Sequence, residues 1–120
     1  MTTSEVPTAV RRRDGVAVID LVGDVNAGAE GALEAAWAEA AATSPEAVVL
    51  NFSDAGYINS TGIALIVGML AKGRAHALPI RAYGLTPHYR EIFEITRLAD
   101  FLAINPDEDS AVRGADGSTT

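Results

Sequence analysis

Residues 47–67 read Ala47-Val48-Val49-Leu50-Asn51-Phe52-Ser53-Asp54-Ala55-Gly56-Tyr57-Ile58-Asn59-Ser60-Thr61-Gly62-Ile63-Ala64-Leu65-Ile66-Val67. The run 47–52 has the length and the β-branched content of a buried strand. Ser53-Asp54-Ala55-Gly56 reads as a polar loop. A helix then opens near Asn59 and Ser60 and continues to about residue 75. Lys72 and Arg74 mark its end, where cations suit the negative pole of the helix dipole. A strand, a loop and a helix in that order form the first part of a βαβ unit, and so imply a parallel sheet.

Upstream, residues 8–13 and 16–23 are two strand-like runs joined at Asp14-Gly15, a strong hairpin signal because both turn residues accept positive φ. A first helix is expected over residues 27–43, where Leu33, Ala36, Trp37 and Ala40 recur on one face and Ser44-Pro45 ends the run. Downstream, residues 78–83 read as a strand. Thr86-Pro87 then reads as an N-cap followed by proline in the first helical position. The third helix sets Tyr89, Ile92, Phe93 and Thr96 on one face, with Arg90, Glu91, Glu94 and Arg97 toward water. A short strand over 101–104 and an acidic segment close the pattern. The expected fold is a single α/β domain with a mixed, mostly parallel sheet, an N-terminal hairpin and the order β-β-α-β-α-β-α-β. Residues 1–7 form a flexible leader in this reading, 8–112 the domain and 113–120 a disordered tail.

Composition narrows the function. The 120 residues carry a formal net charge of −7, which disfavours nucleic acid as the main partner because phosphate contacts need a basic face. The absence of cysteine excludes a disulfide framework, a thiolate metal site and a cysteine nucleophile. No apolar core of a signal peptide occurs in residues 1–15, and the apolar stretch 62–71 is about half of what a bilayer span requires. The expectation is a cytoplasmic protein with no membrane association. Glycine-rich nucleotide loops, a P-loop and a Gly-x-Ser-x-Gly elbow are missing, and His76 and His88 have no second ligand at metal spacing. An enzyme is not expected, nor a cofactor. Arg11-Arg12-Arg13 reads as charge on an edge strand that discourages edge-to-edge pairing.

Asn59-Ser60-Thr61-Gly62 is the informative segment. Local sequence alone offers a simple account, with Asn59 or Ser60 as the N-cap of the helix. Two features exceed that account. Three successive side chains able to cap are more than one helix start needs. Residues 63–70 are also apolar on every side, whereas a core-facing helix normally shows a stripe of about 100°. The surplus lies under neighbouring helices or forms a patch for a partner.

At this junction the sequence resembles the STAS domain family of anti-sigma factor antagonists, which carry an apolar strand, a loop, then Asp-Ser-Ser/Thr-Gly before an apolar helix. Gly23-Asp24-Val25-Asn26 resembles the family's Gly-Glu-Leu-Asp, and Ile92-Phe93-Glu94-Ile95-Thr96-Arg97-Leu98 its Leu-x-x-x-Gly-Leu region. The likeness covers about residues 8–112.

It implies a partner switch. The unmodified domain binds an anti-sigma factor with an ATP-binding serine-kinase fold, phosphorylation of Ser60 breaks the complex, and a phosphatase resets it. Asn59, Thr61 and Gly62 would shape the turn, with Ile58 beside them. Asp24 and Asn26 would lie on the adjacent loop within reach of the same partner. The chain departs from the family pattern in that Asn59 and Asn26 stand where the family has acids. If the acids orient the hydroxyl for a kinase, transfer is slowed; if hydrogen bonding is what matters, asparagine supplies it. Two other readings belong to different classes: a scaffold subunit of a larger signalling assembly, and a module that senses a small molecule or nucleotide.

Overall fold

The computed structural model describes residues 8–114. The leader 1–7 and residues 115–120 of the expected tail lie outside them. Strand β1 (Thr8–Arg13) turns through Asp14 and Gly15, both at positive φ, into β2 (Val16–Val25), as the Asp-Gly signal predicts. A short 3-10 turn (Ala27–Ala29) leads into α1 (Glu30–Ala41), and β3 (Val48–Ile58) and α2 (Ser60–Ala75) follow. Strand β4 (Ile80–Tyr83), α3 (Pro87–Ile95), a second 3-10 turn (Leu98–Asp100), β5 (Ala103–Asn105) and α4 (Glu108–Arg113) complete the chain. The five strands lie in sequence order, with β1 antiparallel to β2 and every other pair parallel. This is the expected mixed α/β sheet.

Period-two alternation decides which residues face which layer. Ala17, Ile19 and Leu21 of β2 and Val48, Leu50 and Phe52 of β3 point into the main core. There they meet Leu33, Ala36, Trp37 and Ala40 of α1, Ile66, Met69 and Leu70 of α2, and Phe93 of α3. The rings of Phe52 and Phe93 pack edge to face with centroids 5.9 Å apart, which docks α3 directly onto β3. Val16, Val18 and Val49 point the other way and form a smaller core with Tyr83, Ala111 and Val112. Helix α4 therefore covers the opposite face of the sheet from α1, α2 and α3.

Beyond shifts of one or two residues at element ends, the structure departs from the sequence expectation at three places. Residues 53–56 are strand rather than loop: β3 continues through them beside β2, with register shifts between Asp20 and Val22 and again between Gly23 and Val25. The first helix starts at Glu30, because Asn26 accepts the Gly28 N–H and opens the 3-10 turn ahead of it. The acidic segment is helix α4. Its cap is Asp107, whose side chain accepts the Ser110 N–H at 2.8 Å, and it extends to Arg113 with Gly114 in the left-handed region as its stop.

Arg11 and Arg13 are tied down rather than merely fending off other edges. The Arg11 guanidinium grips Asp20 at 2.6 Å and Glu108 at 3.0 Å, and Arg13 holds Glu108 at 2.8 Å and also pairs with Asp109. The Tyr83 hydroxyl donates to Glu108 at 2.6 Å. Arg11, with help from Tyr83, holds the Glu108 carboxyl down at about 2, and Arg11 likewise lowers Asp20. Burial, with Glu108 beside it, pushes the Tyr83 phenol up.

Candidate functional site at the head of the second helix

The chain from Tyr57 to Gly62 is held by backbone groups that find partners in β2, in α3 and within the turn itself. Asn59 is the N-cap of α2. Its backbone is extended, and its side-chain oxygen accepts the Gly62 N–H at 2.8 Å. Its carbonyl accepts the Ile63 N–H at 2.9 Å, the first bond of the helix, and its own N–H reaches the Val25 carbonyl at 3.2 Å. The cap is therefore filled by the asparagine.

Ser60, the first residue of α2, is exposed, and its hydroxyl makes no hydrogen bond among the described residues. Thr61 is also exposed. The two candidate caps are thus separated: Asn59 does the capping and Ser60 does not.

Gly62 is buried because α2 enters almost in contact with the end of β2. A Cβ at this position would stand 2.0 Å from the Val25 carbonyl oxygen, which no side chain tolerates. Val25 pairs with Ile58, so the loops that follow β2 and β3 emerge side by side. That pairing brings Asn26 and the Asp24 region to the same end of the sheet as Ser60. Asp24 is exposed yet occupied: it accepts the Tyr57 N–H at 2.9 Å, and a Cβ on Gly56 would meet its oxygen at 2.3 Å. Asn26 is half-buried and caps the 3-10 turn. Ile58 is buried, so it and Gly62 act through shape, while Asp24, Asn59, Ser60 and Thr61 present side chains outward.

Sequence reasoning missed Tyr57, which is 78% exposed. The signal was available in the alternation. Once β3 runs to Ile58, a buried Ile58 requires its neighbour Tyr57 to face out. Reading 53–56 as a loop hid that step.

The apolar surplus of α2 also finds its place. Gly62, Ile66, Met69, Leu70 and Gly73 are buried, while Ser60, Ala64, Val67, Ala71 and Arg74, spaced four and three apart, form one exposed stripe. Val67 is 44% exposed and Phe101, at the far end of the stripe, 51%. The Arg74 guanidinium lies 5.5 Å from the Phe101 ring centroid. His76 and His88 are exposed and far from any ligand set, and no group of three metal-ligating side chains forms among the described residues.

The family model of the STAS domain matches residues 8–111. The chain belongs to the STAS domain family. No curated protein matches it.

Among solved structures it resembles an anti-sigma factor antagonist from Mycobacterium paratuberculosis, with 24% identity and a TM-score of 0.78 over 94% of this chain and 96% of that one. It also resembles the anti-sigma factor antagonist SpoIIAA in its unphosphorylated form, with 18% identity and a TM-score of 0.69 over 93% and 100% of the two chains. The phosphorylated form of the Bacillus cell fate determinant SpoIIAA gives 19% identity and a TM-score of 0.68 over 90% and 99%. At these identities the likeness establishes the shared fold. No helix among the described residues of this STAS domain is long and apolar enough to cross a membrane.

Proposed function

We propose that this STAS domain is a cytoplasmic anti-sigma factor antagonist, binding an anti-sigma factor of serine-kinase fold and released from it by phosphorylation of Ser60. A phosphatase would reset the cycle. The observation that carries this reading is the division of labour at the turn. Asn59 fills the cap, so the Ser60 hydroxyl stands exposed, and unengaged among the described residues, at the head of an exposed apolar stripe. A partner covering Ser60, Ala64, Val67 and Ala71 along α2, with Tyr57, Asp24 and Asn26 at its edge, would bury the acceptor in the interface.

A phosphate on Ser60 adds about −1.5 to −2 charge. At the first turn of a helix the dipole and the open amides tolerate that charge, so the monomer keeps its fold. An interface that had to desolvate the charge would not survive it. Asparagine at position 59 fits this scheme: it supplies the hydrogen bond of a capping acid and places no negative charge beside the incoming phosphate. The likeness to SpoIIAA, known in phosphorylated and unphosphorylated forms, supports the same reading.

The experiment is a capture from native lysate with wild-type and Ser60→Glu proteins as parallel baits. The expected result is a protein of ATP-binding kinase fold held by wild type and lost by Ser60→Glu. Identical capture by both baits would sink the switch.

A further inference from the structure

We propose that Tyr89 is a positioning residue for the Ser60 turn, an inference that rests on Ser60 being the switch. Strand β3 outlasts its neighbour: the pairing of β3 with β4 ends at Asn51 and Tyr83, seven residues before β3 itself ends at Ile58. The N–H groups of Tyr57 and Asn59 point to the β2 side, where Asp24 and the Val25 carbonyl accept them. The Ile58 N–H points the other way, toward an edge where no strand of the described residues remains. There the Tyr89 hydroxyl accepts it at 3.0 Å. A side chain from α3 thus stands in for the missing strand at the peptide just before the cap of the switch helix.

The hydroxyl is delivered from a fixed base. Tyr89 lies in the first turn of α3, its N–H bonded to the Thr86 side chain that caps the helix, and its half-buried ring packs against the main core. Phe93, one turn on, is fully buried against Phe52. The docking of α3 therefore sets where the hydroxyl sits, the hydroxyl sets Ile58, and Ile58 leads directly into Asn59 and Ser60. Preorganisation of this kind matters most for a phosphoryl acceptor, which must present its oxygen in line with the donor.

Tyr89→Phe tests the inference because it keeps the ring and removes only the acceptor. Amide hydrogen exchange followed by NMR should quicken about tenfold at Ile58 and Asn59 and stay unchanged at Val49 and Leu50. Thr86→Ala is the control. It weakens the cap of α3 and leaves the hydroxyl in place, so a merely structural contribution would raise exchange equally in both variants. Unchanged exchange at Ile58 and Asn59, or acceleration spread evenly along β3, overturns the proposal. For the protein captured by wild type and lost by Ser60→Glu, Tyr89→Phe should weaken binding severalfold; equal affinity also overturns it. The switch reading fails separately, on equal capture by wild type and Ser60→Glu, and the exchange experiment still decides whether Tyr89 holds the turn.

Discussion

Two polar clusters sit on this sheet, and they are built in opposite ways. On the α4 side, Arg11, Arg13, Asp20, Glu108 and Tyr83 are directed at one another, and their charges clasp the first strand to the last helix. At the head of α2 the N–H groups of Tyr57, Ile58, Asn59 and Gly62 are taken up by Asp24, the Tyr89 hydroxyl, the Val25 carbonyl and the Asn59 side chain, yet Ser60, Thr61 and Tyr57 face outward. A cluster whose side chains are consumed internally is a fastening. A cluster whose backbone is fixed while its side chains remain free is a presentation surface.

The presentation surface is most vulnerable at Gly62. Gly62→Ala would drive a Cβ into the Val25 carbonyl, and it should cost about 3 kcal/mol or more, read as a large fall in urea midpoint. A variant as stable as wild type would mean that α2 can retreat from β2.

The clasp should respond to pH in a direction that its geometry dictates. Glu108 is held at about 2 in the folded protein, below the usual range of a carboxylate. Its contribution is therefore complete above the unfolded pKa of about 4.3 and is lost as pH falls from there through the folded value. Glu108→Gln should lower stability by about 1 kcal/mol at neutral pH, discounted for the exposure of its partners. The gap to wild type should close as pH falls toward 2, in denaturation followed by circular dichroism. A gap that stays constant with pH would show that hydrogen bonding alone, not charge, fastens α4.

Within the presentation surface, Asn59→Ala should cost about 1 kcal/mol through loss of the cap, whereas Asn59→Asp should be close to neutral. The smallest effect belongs to Ser60. Ser60→Ala should change stability by less than about 0.5 kcal/mol in the same denaturation assay, since its hydroxyl serves no described neighbour. A loss comparable to that of Asn59→Ala would return Ser60 to the role of a cap.

The hairpin, the parallel order and the cap at Thr86 were legible because each rests on local chemistry: an Asp-Gly turn, strands alternating with helices, and a capping side chain before proline and an apolar run. What was not legible depends on contacts across the fold. Residues 53–56 carry a loop's composition and become strand through pairing with β2 and the Asp24 brace. Helix α4 has six residues with only Ala111 and Val112 buried. It is fastened by Arg11 and Arg13 and by Arg81, which donates to the Ala111 carbonyl at 3.0 Å, and nothing in its own sequence announces those partners. Asn59 and Ser60 are both competent caps by type, so only the geometry could assign the task. The Tyr89 hydroxyl is a tertiary contact with no sequence signal at all. Arg97 sits at φ 68, so the left-handed turn before the second 3-10 segment is made without glycine, the residue that adopts it most easily.

Whether Ser60 is a switch rather than a cap is decided by calorimetric titration of the captured partner with wild-type and Ser60→Glu proteins. A switch gives a folded Ser60→Glu protein whose affinity falls roughly a thousandfold, equivalent to about 4 kcal/mol of desolvation and repulsion at the interface. Equal affinities from two equally folded proteins would contradict it.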